Sequence, residues 1–129
     1  MAKLDFKNIN FHDCELENLE ILNNNNKLLL YFKMDTHLFP GKKFGILKIL
    51  KFSKISDFIR QWMDLDLNLI QHIEFKDKGY KKVVEILFQL KEDTIYRIEY
   101  SGISFERVDK YDISTNNENS LKQFLEQNS

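Results

Sequence analysis

Hydrophobic residues recur at two-residue steps along most of this chain, the spacing that puts side chains on one face of a β-strand. The clearest case is Lys82 to Leu90, where Val84, Ile86, Phe88 and Leu90 form an inward-facing set. A turn at Lys91-Glu92-Asp93 leads into Thr94 to Ser101, with Tyr96, Ile98 and Tyr100 on one side. Lys27 to Met34 sets Leu28, Leu30, Phe32 and Met34 against Leu29 and Tyr31, the pattern of a strand covered on both faces. Phe44 to Phe52 reads similarly, through Phe44, Ile46, Leu50 and Phe52 opposite Leu47 and Ile49. In Cys14 to Leu22 the parity breaks between Leu16 and Leu19, and a β-bulge near Glu17-Asn18 restores both halves to one face. Leu69 to Lys76 turns Ile73 and Phe75 inward. Beyond a break at Ser101-Gly102, Ile103, Phe105 and Val108 continue in extended form.

Two stretches leave this period. Ile55, Phe58, Ile59, Trp62 and Met63 recur at three- and four-residue steps, which predicts a helix over 56–64 capped by Ser56 or Asp57. Residues 112–119 are a polar loop, after which Leu121, Phe124 and Leu125 mark a short helix or a frayed tail. The run Asn23-Asn24-Asn25-Asn26 reads as a hairpin tip, because asparagine tolerates positive φ.

Strands joined by short turns point to antiparallel pairing. The order of pieces also repeats. A short strand, a strong strand and a closing piece recur as residues 19–21, 27–34 and 49–56, and again as 73–75, 83–90 and 97–104. The closing pieces match in residue type when set 48 residues apart, and the middle strands when set 56 apart. The expected fold is therefore α+β and β-dominated: an antiparallel sheet of six to seven strands from two similar three-strand units, with one short helix between them. One proline, Pro40, and four glycines leave no linker. Residues 1–129 read as one domain, with a structured core over about 8–110 and a tail or short helix over 111–129.

Eleven phenylalanines supply a core large enough to need no disulfide or metal staple. The single cysteine, Cys14, excludes an internal disulfide, and no apolar run has the length of a signal peptide or membrane span, so a cytoplasmic location is expected. Net charge is only −1, but its distribution is uneven. Residues 33–54 carry six lysines against Asp35, whereas 92–118 carry seven acids, among them Glu106, Asp109 and Asp112, against three bases. Trp62 stands among Asp57, Asp64 and Asp66, an aromatic rimmed by acids of the kind found in protein-binding patches, or simply a helix residue covering the sheet.

Candidate chemistry is sparse. His12 and Asp13 could act as an acid–base pair in a hydrolase, but strand neighbours point to opposite faces, so only a turn would bring them together. Otherwise they bond the backbone where the chain enters the sheet. His37, His72 and the Asp64-Leu65-Asp66 run complete no metal motif, and no cofactor loop is present. The lysines of 33–54, interleaved with Tyr31, Phe39, Phe44 and Phe52, suit nucleic acid only if those rings are exposed. The two-sided apolar pattern argues against that.

The segment Phe11-His12-Asp13-Cys14-Glu15-Leu16, followed by a strand, a polar turn and a stronger strand, resembles the opening of several small bacterial domain families. These begin Phe-His-Asp, then a small residue and an apolar strand. Many are uncharacterised, and some are similar to immunity proteins encoded beside polymorphic toxins. The ending Ile98-Glu99-Tyr100-Ser101-Gly102-Ile103 fits the same style, and the likeness spans about residues 11–108. Cys14 departs from the usual alanine or serine. The resemblance brings no catalytic residues. It implies a non-enzymatic role in binding another protein, most simply a cognate toxin, with the acids of 92–118 or the Trp62 region as the contact surface.

Overall fold

The computed structural model describes residues 9–22, 26–34, 42–65, 67–78 and 81–128. Within them lie β1 (Glu15–Leu22), β2 (Lys27–Lys33), β3 (Phe44–Leu50), α1 (Ser56–Leu65), β4 (Ile70–Lys78), β5 (Lys81–Phe88), β6 (Lys91–Glu99), β7 (Gly102–Val108) and α2 (Asn117–Gln127). The fold is α+β and strand-dominated. Its strands form two antiparallel sheets, ordered β1-β2-β3-β7 and β4-β5-β6. Of the asparagine run only Asn26 is described, as a turn residue; 23–25 lie outside the described residues. No described helix is long and apolar enough to cross a membrane.

Each unit is a three-stranded meander. Both open with a bulge, between Leu16 and Asn18 in β1 and between Ile70 and His72 in β4, and both pair the residue before it with a core phenylalanine, Leu16 with Phe32 and Ile70 with Phe88. The bulge turns Leu19 to the same interior as Leu16 and Cys14. Pairing also corrects the alignment of the third strands. Leu28 pairs with Ile49 and the equivalent Val84 with Ile98, so Ile49 corresponds to Ile98. The 48-residue spacing had set Ile49 against Arg97, one residue away and exposed. Side-chain direction alternates at every residue, so burial selects the shifted match.

The two meanders are stitched together twice. Near the strand starts, Glu15 bridges Leu69, the Asp13 N–H donates to the Ile70 carbonyl and the Ile70 N–H donates to the Cys14 carbonyl. Near the strand ends, Ile49 pairs with Ile103 and Leu50 with Gly102, and the Ser53 N–H donates to the Glu99 carbonyl. The matching closing pieces therefore run antiparallel against one another. They then diverge: the first turns into α1 and the second continues as β7.

One core serves both sheets. Phe11 sits 5.4 Å from Phe32 and 5.6 Å from Phe105 on one side and 6.3 Å from Phe75 on the other, measured between ring centres. Helix α1 seals the smaller sheet by placing Phe58 5.5 Å from Tyr96 and 6.2 Å from Phe88. The outer face of β2 is covered too, since Tyr31 stacks on Tyr111 at 4.5 Å.

Local expectations change at the turn after β5, at the cap of α1 and at the C-terminal bound of the core, while the short C-terminal helix is present. Leu90 is 83% exposed rather than inward, because the hairpin turns at Gln89-Leu90 and β6 already begins at Lys91. That turn is held by tertiary bonds, the Gln89 N–H to the Leu69 carbonyl among them. Neither Ser56 nor Asp57 caps α1; both lie in its first turn, and the Ser56 hydroxyl donates to the Asn128 carbonyl instead. The C-terminal segment is a full helix whose Leu121 and Phe124 are buried in the core, which therefore extends past residue 110.

On the outer face of sheet β4-β5-β6, Glu85 is nearly buried beneath Arg97 Nε at 2.5 Å and Lys76 Nζ at 3.0 Å. The Arg97 hydrogen bond, then that of Lys76, hold its carboxyl below the ordinary 4.5 against the opposing effect of burial. A depressed folded pKa contributes stability that is present above the ordinary value and lost as pH falls through the folded one. Glu85→Gln is therefore expected to flatten the acid limb of a plot of urea-denaturation stability against pH. At Gly45 an added Cβ would overlap the Phe105 ring and lie 3.1 Å from Met34 Sδ. Gly45→Ala is expected to cost about 1–3 kcal/mol by overpacking, read from the same denaturation midpoints, and Phe105→Leu in that background to recover part of it.

Candidate functional site

The Phe-His-Asp segment forms a tight turn. The Cys14 N–H donates to the Phe11 carbonyl, and Asp13 adopts φ 68°, a left-handed conformation that aspartate accepts better than most residues. The turn brings His12 Nε2 within 3.5 Å of Asp13 Oδ1. Other partners engage both side chains. His12 Nδ1 lies 3.0 Å from the Gln71 carbonyl, which can only accept, so that nitrogen is the donor. Gln89 Nε2 donates to Asp13 Oδ1 at 2.6 Å and to the Ile70 carbonyl at 3.1 Å. Cys14 is buried, its thiol 4.0 Å from Met34 Sδ. These contacts clamp the entry of β1 onto the start of β4.

A groove of about 880 Å3 lies elsewhere, along the outer edge of β1. Its far wall is the last turn of α1, with Trp62, Met63 and Asp64, and its floor and rim come from Ile113, Leu121 and the start of α2. The β1 backbone is tied to these walls. Trp62 Nε1 donates to the Leu16 carbonyl at 3.4 Å and Asn117 Nδ2 to the Leu19 carbonyl at 2.6 Å, satisfying an edge that would otherwise invite another strand. Four carboxylates line the groove, on Glu15, Glu17, Asp64 and Glu118, against one ammonium, that of Lys122. Lys122 lies 3.4 Å from Glu118. Glu15 and Asp64 have no cationic partner among the described residues. Tyr111 donates to Glu17 at 2.8 Å and accepts from Asn18 at 2.9 Å. Burial, with Glu17 beside it, pushes the Tyr111 hydroxyl up to about 12 although Asn18 acts in the opposite direction, so at neutral pH it remains a donor.

Asp64 is informative because of its position. Carboxylates near a helix C-terminus oppose the helix dipole by ~0.3–1 kcal/mol, and the last turn of α1 has no basic residue to compensate. Its charge adds to the negative field of the groove at a local cost in stability.

Of the residues singled out in the sequence, the groove includes Trp62 and Asp64. Asp57 is at the opposite end of α1, 3.2 Å from Arg60. Glu106 pairs across to Ile46 on the outer face of β7, and Asp109 and Asp112 are exposed beyond that strand; none of the three lines the groove. Asp66 and His37 lie outside the described residues, as does Phe39. In the lysine-rich stretch, Tyr31 is buried under Tyr111, Phe44 meets the Tyr111 ring edge-on at 5.1 Å and Phe52 packs 6.1 Å from Phe124, so these rings offer no open stacking face. Glu118, one of the seven acids of 92–118, does line the groove, whereas nothing in the sequence marked Glu15 and Glu17 as its companions, because their nearness to Asp64 depends on contacts between distant segments. The bulge at Glu17 was the one local signal that this edge is irregular.

No protein-family model matches the chain, and no curated protein matches it. Among solved structures it is similar to the crystal structure of an uncharacterised protein from Neisseria gonorrhoeae, with 23% identity and a TM-score of 0.49 over 76% of this chain and 94% of that one.

If the Phe11–Cys14 turn is a structural clamp, its chemistry can be varied while its geometry is kept. Asp13→Asn retains both the acceptor and the tolerance of positive φ, and is expected to stay within about 0.5 kcal/mol of the parent. Asp13→Ala removes both and is expected to cost about 1–2 kcal/mol. Urea denaturation of the two variants measures the difference, and equal stabilities would contradict the clamp.

Proposed function

We propose that this chain is a non-enzymatic binding protein that takes a cationic surface of another protein into the groove between β1, α1 and α2. The observation that carries this reading is the charge of the groove: four carboxylates against one lysine, around a half-buried tryptophan. A partly exposed aromatic among charges is the usual composition of a protein-binding anchor, and the acid rim would steer a basic partner to it. The poor local placement of Asp64 supports the same reading, since a charge that costs helix stability is better explained by a use outside the helix. The resemblance of the Phe11–Leu16 segment to toxin-immunity domains suggests the partner, a toxin whose own cationic site the groove would cover.

The reading concentrates the contact surface around Trp62 and Asp64 and, of the acids of 92–118, gives a part in it to Glu118 alone. The test uses the product of the neighbouring upstream gene as the probe, with binding followed by calorimetry. The parent chain is expected to bind, more weakly as salt rises. Combined Glu15→Gln, Glu17→Gln, Asp64→Asn and Glu118→Gln is expected to weaken binding by at least roughly a hundredfold, whereas Asp109→Asn with Asp112→Asn leaves it unchanged. Undiminished binding by the fourfold variant, or no binding by the parent chain, would sink the proposal.

A further inference from the structure

The chain leaves β3 through two left-handed residues. Lys51 has φ 53° and Lys54 φ 56°, a region that glycine or asparagine adopts at lower cost. The backbone around them is bonded: the Lys51 N–H donates to the Asn26 carbonyl, the Ser53 N–H to the Glu99 carbonyl and the Ser101 N–H to the Leu50 carbonyl. The join between the two meanders therefore imposes this path, but it does not ask for lysine. Both lysines are exposed, and neither side chain meets a partner among the described residues. A strained position filled by a charge that the fold does not use points to a use outside the fold.

More cations gather at the same end. Leu22 lies opposite Lys27 and Lys27 opposite Leu50, so three neighbouring strands present leucine, lysine and leucine side by side on the outer face of the larger sheet. Both leucines are 38% exposed. Lys48 shares that face two residues before Leu50, and Lys51 follows directly after it. The acids nearby are matched or engaged: Glu99 lies 3.3 Å from Lys81, Asp77 pairs across from Lys82, and Glu20 accepts from Tyr31. Glu126 stands in the last turn of α2. Lys27, Lys48, Lys51 and Lys54 have no anionic partner among the described residues. The acidic groove is at the other end of both helices. Helix α1 starts two residues after Lys54 and carries Asp64 into the groove wall, and α2 runs back from Glu118 to Asn128, whose carbonyl accepts from Ser56. Ten helical residues separate the two ends by about 15 Å.

We propose that this end of the molecule docks on an anionic lipid surface, with Lys27, Lys48, Lys51 and Lys54 among the headgroups and Leu22 and Leu50 pressed between them. Exposed leucines set among lysines suit the boundary of headgroups and acyl chains, where charge and apolar contact together hold a protein that neither would hold alone. A single nucleic-acid strand would ask for open aromatic faces, and Phe52 is packed on Phe124 instead; a duplex backbone gains nothing from leucines. Docked in this way, the molecule keeps its acidic groove away from a surface that would repel it. The basic end is separate from the groove, and failure of either proposal leaves the other standing.

Co-sedimentation with lipid vesicles tests this directly. The parent chain is expected to bind vesicles of mixed phosphatidylglycerol and phosphatidylcholine, less as salt rises, and to leave vesicles of phosphatidylcholine alone unbound. Lys51→Asn with Lys54→Asn is expected to weaken binding about twentyfold, each lysine contributing about fivefold, while the urea midpoint is maintained because asparagine accepts positive φ. Leu22→Ser with Leu50→Ser is expected to weaken it at least about fivefold. A parent chain that stays free of the anionic vesicles, or a folded asparagine variant that binds them as tightly as the parent, overturns the proposal. Should the asparagine variant unfold, Lys27→Gln with Lys48→Gln decides: binding must weaken by a similar factor, and unchanged binding overturns it. Capture of the parent chain by single-stranded or duplex DNA but not by vesicles would give this end to nucleic acid and likewise overturn the lipid contact.

Discussion

Phe11 joins two sheets, one of four strands and one of three, into a single core. Its ring touches β2 and β7 of one sheet and β4 of the other, and the turn after it carries the hydrogen bonds joining β1 to β4. The position is demanding. The chain must enter the core at Phe11, reverse within the next two residues and leave as an edge strand, which requires the left-handed Asp13. His12 and Asp13 are occupied by backbone and amide partners at this reversal, so their proximity follows from the geometry of the junction.

The same junction shapes the groove. Once β1 is fixed against the start of β4, its outer edge faces the end of α1, and α2 can close over it through Leu121 and Phe124. Trp62 and Asn117 take the Leu16 and Leu19 carbonyls, which obstructs strand addition at this edge and makes it a wall bearing carboxylates. The opposite situation holds at β6, whose outward backbone groups meet Ser53 at one end and, among the described residues, no other partner. One edge is closed by side chains and helices. The other receives, among the described residues, only the bond from Ser53.

The internal repetition explains part of this design. Both meanders carry a bulge at the same point, and the two stitches between them bring corresponding segments face to face. Such an arrangement has nearly two-fold character, and it lets similar short units bury one another's open ends. The units diverge after their third strands, where the first continues into a helix and the second into a seventh strand. That difference places Trp62 and Asp64 on one side of the molecule only.

Alternation of apolar residues by itself determined the strands, the bulge in β1, the amphipathic helix and the doubled plan, because these depend on which face of a local element avoids water. It also marked Trp62 and Asp64. Turn position was less legible: charged Lys91-Glu92-Asp93 looks like a turn, yet Gln89-Leu90 makes it because Gln89 is anchored on Leu69, Ile70 and Asp13. The pairing of the third strands, the clamp at His12 and Asp13, and the meeting of Glu15, Glu17 and Glu118 with Asp64 were decided only by the tertiary structure. Each rests on contacts between separate segments of the chain, whose register is chosen by the packing of the shared core and leaves no period in the local pattern.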